Sequence, residues 1–87
     1  MERLFLEVAN DSSKPIKIWI ELICELYIIE SNSKAIVYVD IENQAHFDGA
    51  AFSISITNDC FVVYEPKIGG YPYVEVNGVR LSPVASG

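Results

Sequence analysis

The stretch PIKIWIELICELYIIE, residues 15–30, is the densest apolar run in this chain, and its structure decides the fold class. A membrane-spanning helix needs about 20 apolar residues with few charges, but this shorter run is interrupted by Lys17, Glu21 and Glu25. A helix would align these charges in one polar stripe, whereas a strand would place them on one face with most of the isoleucines opposite. Periodicity alone therefore leaves helix and strand open.

Residue type favours β structure for this segment. It is rich in isoleucine and contains a Trp and a Tyr, and β-branched and aromatic side chains prefer strands. One straight strand over the whole segment would span about 45–50 Å at roughly 3.3 Å per residue, which is too long for a small domain. We therefore predict two strands, 15–22 and 25–30, joined by a bend, bulge or tight corner near Leu22–Glu25.

Alternation of apolar and polar residues predicts further strands on both sides of this segment. RLFLEVA at residues 3–9 and KAIVYVDIE at residues 34–42 each place apolar side chains on every second position. Turn-forming residues separate the runs. The pattern predicts an all-β fold: a compact antiparallel β-sandwich or partly open barrel of about seven or eight short strands. It forms a single domain over residues 1–87, with residues 82–87 as a frayed tail.

Residues 52–65 predict a hairpin, and the sequence leaves two alternative registers open for it. AFSISIT places Phe52, Ile54 and Ile56 towards the core, and Asn58–Asp59 turns into CFVVYE. With a two-residue turn, Ile56 faces Phe61. A one-residue bulge would instead turn the other side chains of CFVVYE inward.

YVEVNGVRL, residues 73–81, is the strongest local signal for a hairpin. Its Asn-Gly pair fits a type I′ turn, which places Val76 opposite Val79. On the other face, Glu75 and Arg80 then form a predicted cross-strand ion pair.

Charge and cysteine content limit the function classes. Twelve carboxylates against six lysines and arginines give a net charge of −6, which argues against nucleic acid and anionic membrane surfaces as partners. A basic protein partner fits this charge, and solubility alone explains it equally well. The chain start has no secretory signal pattern. We expect a cytoplasmic protein whose Cys24 and Cys60 are reduced, unless the fold brings them together.

The chain resembles a group of small uncharacterised bacterial β-rich proteins, which share an Asn-x-Ser motif, a Pro-led strand and a Glu-Pro-Trp-Gly-x-x-Tyr segment. The matching positions are Asn10, Ser12, Pro15, Glu21 and Tyr27. Leu22, Ile23 and Cys24 replace the Pro-Trp-Gly triplet, and Ser31-Asn32-Ser33 replaces a Pro-Gly turn. The resemblance implies a strand-rich architecture and carries no activity, cofactor or site residue.

The segment DIENQAHFD is the only one rich in metal-ligating side chains. Oxygen ligands with one imidazole suit a divalent cation, and the candidate ligands are Asp40, Glu42, His46 and Asp48. The alternative is a solvated strand edge and loop. We expect no enzyme and no cofactor: Glu21 and Glu25 share a face, but a carboxylate pair needs a cleft that divides acid and base roles.

The aromatic residues suggest a binding surface. The candidates are Trp19, Tyr27, Tyr71 and Tyr73, with Trp19 and Tyr27 on one face of the opening segment. Large aromatic side chains dominate protein interfaces. The structural alternative makes Trp19 the central core residue, with the tyrosines covering the sheet ends. The sequence favours a non-catalytic protein–protein interaction module, which binds a partner or a second copy. Two alternatives are a metal-, small-ligand- or carbohydrate-binding domain, and an immunity-like acidic inhibitor of a basic partner.

Overall fold

The computed structural model describes residues 2–41, 52–58, 60–64 and 71–86, which form strands and turns and no helix. In chain order the strands are β1 (Glu2–Asn10), β2 (Ile16–Ile20), β3 (Glu25–Ile29), β4 (Ser33–Ile41), β5 (Ser53–Thr57), β6 (Cys60–Tyr64), β7 (Tyr73–Val76), β8 (Val79–Arg80) and β9 (Ala85–Ser86). The predicted all-β fold class is confirmed.

The strands form two open sheets that pack face to face. Sheet A has the order β1-β4-β7-β8, and sheet B has the order β5-β6-β2-β3-β9. Neighbouring strands in the described residues are antiparallel except β2 and β6, which are parallel. The arrangement is a sandwich and not a closed barrel.

The core lies between the sheets and draws on both. Its buried members are Val8, Ala35, Val37 and Val74 from sheet A, with Ile18, Ile20, Tyr27, Ile29 and Val63 from sheet B. Burial of each large aliphatic side chain stabilises the fold by about 1.5–3 kcal/mol relative to exposure. The inner face of each sheet is therefore the side that carries these residues.

The segment around Trp19 folds into two strands, as predicted. β2 ends at Ile20 and β3 begins at Glu25, with a turn over residues 21–24. The backbone N–H of Cys24 donates to the carbonyl oxygen of Glu21 at 3.3 Å. Cys24 has a φ of 53°, a left-handed conformation that side chains disfavour.

The length of this turn decides which aromatic residue is buried. Because the turn has four residues, each even-numbered residue of β2 pairs with an odd-numbered residue of β3, and vice versa: Ile18 pairs with Tyr27, and Trp19 with Leu26. Tyr27 therefore joins Ile18 in the core, whereas Trp19 lies on the outer face. The prediction that Trp19 and Tyr27 share a face is wrong, and so is the alternative that Trp19 is the central core residue.

The β5–β6 hairpin adopts the two-residue-turn register, with Thr57 opposite Cys60 and Ile56 opposite Phe61. The predicted burial of the isoleucines is wrong, since Ile54 is 45% exposed and Ile56 is 67% exposed. Both lie on the inner side of sheet B, but β5 is its outermost strand. The described part of sheet A does not cover that position.

The Asn-Gly turn between β7 and β8 matches its prediction. Val76 pairs with Val79. Asn77 and Gly78 both have positive φ values, 53° and 77°, as a type I′ turn requires at its two central positions.

The end of the described chain is paired with sheet B, so the prediction of a frayed tail is wrong for residues 84–86. Ala85 pairs with Leu26 as part of β9. The backbone N–H of Val84 donates to the carbonyl oxygen of Leu26 at 2.8 Å. The pairing of β9 with β3 depends on backbone hydrogen bonds, and the alternation of side chains does not predict it.

Asn10 joins the two sheets at one end of the sandwich. It is only 2% exposed, and its amide nitrogen donates to the carbonyl oxygens of Lys14 (2.8 Å), Ile29 (3.0 Å) and Glu30 (3.1 Å). Its side-chain oxygen accepts hydrogen bonds from the N–H (3.1 Å) and hydroxyl (2.6 Å) of Ser12. The amide thus connects the end of β1 in sheet A with the end of β3 in sheet B.

Candidate functional site

The outer face of sheet B carries an apolar row centred on Trp19. Trp19 pairs with Leu26 on one side and Val62 on the other, so the three side chains stand next to one another on the same face. All three are partly exposed, and none belongs to the core cluster. Contiguous apolar side chains on an outer sheet face are typical of surfaces that another molecule covers.

The neighbouring row adds one apolar and one charged side chain. Lys17 pairs with Ile28, and both lie on the same outer face as Trp19. Ile28 is partly exposed and Lys17 is exposed. Within the described residues the two ion pairs, Arg3–Asp40 and Lys34–Glu7, do not include Lys17. We call the surface formed by Lys17, Trp19, Leu26, Ile28 and Val62 the Trp19 face.

Glu21 holds the indole ring of Trp19 in place. The indole N–H of Trp19 donates to Oε2 of Glu21 at 2.7 Å. The backbone N–H of Glu21 donates to the carbonyl oxygen of Val63 at 2.9 Å, which continues the β2–β6 ladder by one residue. The hydrogen bond restrains the indole ring, and such restraint lowers the entropy cost of binding.

The outer face of sheet A carries a second aromatic group of different character. The rings of Tyr38 and Tyr73 stack at 5.2 Å between centroids, and Phe5 lies 6.4 Å from Tyr38. The guanidinium of Arg3 lies over the rings of Tyr38 (5.1 Å) and Tyr73 (5.8 Å), and that of Arg80 lies 4.9 Å from the Tyr73 ring. We call the surface formed by Arg3, Phe5, Tyr38, Tyr73 and Arg80 the Tyr73 face.

Two pairs of oppositely charged side chains interact on the outer face of sheet A. The Nε of Arg3 donates to Asp40 at 3.0 Å, and the ammonium of Lys34 lies 3.2 Å from Glu7. Glu75 stands opposite Arg80 as predicted. The predicted ion pair between them is wrong, however, because Arg80 stacks on Tyr73 and the ion pairs of the described residues do not include it.

Tyr27 and Tyr71 meet at the carboxylate of Glu25. The Tyr27 hydroxyl donates to Oε1 at 2.9 Å, and the Tyr71 hydroxyl donates to Oε2 at 2.8 Å. Burial raises the pKa of Tyr27 well above its usual range, and the hydrogen bond to Glu25 raises this pKa further. Tyr27 is 3% exposed and Tyr71 is exposed, so the structure brings these two candidates together through a shared carboxylate, with one ring in the core and the other at the surface.

The prediction that Glu21 and Glu25 share a face is wrong. Glu21 accepts the indole N–H of Trp19 on the outer side of sheet B. Glu25 binds the phenol of Tyr27, whose ring is part of the core. The four-residue turn that separates Trp19 from Tyr27 also separates the two carboxylates.

Of the predicted metal ligands, the structure describes Asp40 alone. Asp40 accepts the hydrogen bond from Arg3, while Glu42, His46 and Asp48 lie outside the described residues. In the described part of the chain, His, Cys, Asp and Glu side chains form no group of three or more that would hold a metal ion. Both cysteines, Cys24 and Cys60, are free.

Comparison with protein-family models, curated proteins and solved structures gives no match to this chain. Among the described residues, no helix is long and apolar enough to cross a membrane.

Sequence reasoning identified Trp19 but missed the residues around it. Leu26 and Val62 become its neighbours only through the β2–β3 and β2–β6 pairings. The parallel β2–β6 pairing joins segments about 40 positions apart, and no pattern of neighbouring residues predicts it. Sequence reasoning likewise missed the contacts of Tyr38 with Arg3, although both residues occupy the polar side of their alternating strands.

Proposed function

We propose that the protein is a small, acidic, non-catalytic interaction module that binds another protein chain through the Trp19 face. The observation that carries the proposal is the row Val62–Trp19–Leu26, three large side chains that stand together on an outer face and outside the core. Tryptophan is among the residues that contribute most to interface affinity when a partner desolvates them.

The surroundings of this row fit a protein interface better than a small-molecule site. A sheet face of this kind is broad, whereas small-molecule sites are concave and enclose most of the ligand. The hydroxyls of Ser53, Ser55 and Thr57 alternate with the isoleucines of β5 and add a polar border on the outer side. An apolar centre with a polar border is the usual anatomy of a protein interface.

A cytoplasmic location forms part of the proposal. Cys24 and Cys60 are both free thiols, which agrees with a reducing compartment.

Site-specific photo-crosslinking in the cells that naturally make the protein tests the proposal. A photoreactive amino acid replaces Ile28 on the Trp19 face or, as the matched control, Ile36 on the outer face of sheet A. Both isoleucines are partly exposed strand residues. We expect protein adducts from position 28 and few from position 36, with the partner chain identified by mass spectrometry. Equal yields at the two positions, or no protein adduct at position 28, would overturn the proposal.

A further inference from the structure

We propose that the Trp19 face binds a second copy of this chain, packed face to face about a two-fold axis that crosses β2 at Trp19. This inference rests on the proposed function and names the partner. Its basis is the order of residues on the outer side of β2 and its extension: a cation at Lys17, an indole at Trp19 and an anion at Glu21. Lys17 and Glu21 are each two positions from Trp19 along the chain, one on either side.

This order is self-complementary under one type of two-fold axis. Face-to-face pairing of identical surfaces requires an axis in the plane between them, and each contact then occurs twice. If the axis runs across β2, the β2 strands of the two copies run in opposite directions. Sheet twist allows an angle of roughly 30° between the strand directions of two packed sheets. Lys17 of each copy then faces Glu21 of the other, which gives two equivalent ion pairs.

The same axis brings the apolar row onto itself. The row Val62–Trp19–Leu26 runs across the strands, so it lies along the axis, and each of its side chains meets its own symmetry mate. The apolar side chains therefore form the centre of the interface, with the charges at its border, as in other stable interfaces.

An axis parallel to β2 is excluded by charge. It would place Lys17 opposite Lys17 and Glu21 opposite Glu21, and like charges in direct contact oppose association. The carboxylate of Glu21 also has the capacity for the proposed contact, because its Oε2 accepts the indole N–H of Trp19 and its Oε1 remains able to accept from a lysine.

The net charge of −6 favours a basic partner at long range. The charges on the Trp19 face do not favour one. Exposed charges further apart than about 8 Å are largely screened at physiological ionic strength, so the local pattern decides. The two charged residues that border the apolar row are one lysine and one glutamate. A second copy matches both charges, whereas a uniformly basic partner would leave Lys17 facing a like charge.

Sedimentation equilibrium on the purified full chain over a range of concentrations tests this arrangement. We expect a dimer for the unsubstituted protein. Lys17→Glu and Glu21→Lys should each weaken dimerisation by about 100-fold, since each creates two like-charge contacts. A 1:1 mixture of the two variants should recover the dimer, because both contacts in the mixed dimer are again between opposite charges. Melting curves verify that each variant folds.

Matched controls separate local contacts from net charge. Lys34→Glu and Glu7→Lys change the net charge by the same amounts on the outer face of sheet A, and each should remain dimeric. An unsubstituted chain that is monomeric at high concentration, or a variant mixture that stays monomeric, overturns the two-fold arrangement. If position 28 then crosslinks to a different protein, the proposed function stands without it; if position 28 gives no protein adduct, both proposals fail.

Discussion

The two outer faces of the sandwich differ in whether their side chains find partners within the chain. On the Tyr73 face, Arg3 and Arg80 cover aromatic rings, and Asp40 accepts from Arg3. On the Trp19 face, the apolar side chains are partly exposed, and the ion pairs of the described residues leave out Lys17.

Under the proposed function, this difference means that composition is a poor guide to the binding surface. The Tyr73 face has more aromatic rings and arginines, the residue types that dominate interface hot spots. A partner on that face would have to compete with the stacking and cation–π contacts that already exist. The Trp19 face contains fewer such groups, but its apolar side chains remain partly exposed.

The largest expected effect distinguishes the two sides of sheet B. Ile29 is fully buried in the core, whereas its neighbour Ile28 lies on the Trp19 face. Ile29→Ala should lower the free energy of unfolding by about 3–4 kcal/mol through lost burial and a cavity. Ile28→Ala should lower it by less than about 1 kcal/mol.

Urea unfolding of both variants, at concentrations low enough to avoid association, measures this contrast. Equal losses of stability would mean that Ile28 is enclosed within the folded monomer. The Trp19 face would then be part of a core and not a surface.

The second expected effect tests whether the two faces belong to one cooperative unit. Asn10→Ala removes the hydrogen bonds that connect the ends of β1 and β3, and the carbonyl oxygens of Ile29 and Glu30 lose this donor. We expect a loss of about 2–3 kcal/mol in the free energy of unfolding. Asp11→Ala, at an exposed neighbouring position, is the control and should change stability little.

Unfolding of the Asn10→Ala variant should also remain one transition when followed by the fluorescence of Trp19 on sheet B and by far-UV circular dichroism, which reports the strands of both sheets. Two separate transitions would show that the sheets unfold independently, and the comparison of the faces would then concern two units.

Much of the fold was predictable because the strand signals are local. Alternation in 3–9 and 34–42, the bulk of the isoleucines in 15–30 and the Asn-Gly turn each depend on neighbouring residues, and the structure contains the strands they predict. The length of residues 15–30 predicted the corner near Leu22–Glu25, because one straight strand over this segment would be longer than a small domain. Its conformation did not, because Cys24 adopts a left-handed φ without being glycine.

The candidate site was less predictable because it depends on pairing between distant strands. An even number of turn residues moved Tyr27 into the core and left Trp19 outside. The position of β5 at the end of sheet B exposed Ile54 and Ile56, although their alternation is typical of a half-buried strand. Alternation predicts which side chains share a face; strand order decides whether anything covers that face.

A third prediction compares one aromatic substitution on each face for its effects on stability and on dimerisation. Tyr73→Ala removes one stacked ring and two cation–π contacts, and it should lower the free energy of unfolding by about 1–2 kcal/mol. It should leave dimerisation unchanged. Trp19→Ala should show the opposite pattern. It should change the free energy of unfolding little, and it should abolish the dimer at concentrations where the Tyr73→Ala variant keeps it.

Thermal melts and sedimentation measured on the same two samples make this comparison. Loss of the dimer in the Tyr73→Ala variant would place the association surface on sheet A.

A fourth prediction uses pH to test which side of sheet B is enclosed. The pKa of Tyr27 is raised in the folded state by burial, while that of an unfolded tyrosine is about 10. The folded state is therefore stabilised fully below about pH 10, and this contribution is lost as the pH rises towards the folded-state pKa. Tyr27→Phe removes the titrating group, so the variant should lose less stability than the unsubstituted chain between about pH 8 and pH 11. Urea unfolding at the two pH values measures the difference, and identical losses would contradict burial of the Tyr27 phenol.

The smallest expected effect concerns the ion pair on the outer face of sheet A. Arg3→Gln removes the contact with Asp40 and two cation–π contacts, all at the surface, where exposed pairs contribute little. We expect a small fall in the melting temperature at low salt, and the part due to the ion pair should vanish near 1 M salt because screening is then almost complete. Lys14→Gln, which changes the same charge at another exposed position, provides the control. A fall larger than that of the Tyr73→Ala variant would mean that charge, and not ring stacking, organises the Tyr73 face, and the contrast with the apolar row around Trp19 would then be one of electrostatics.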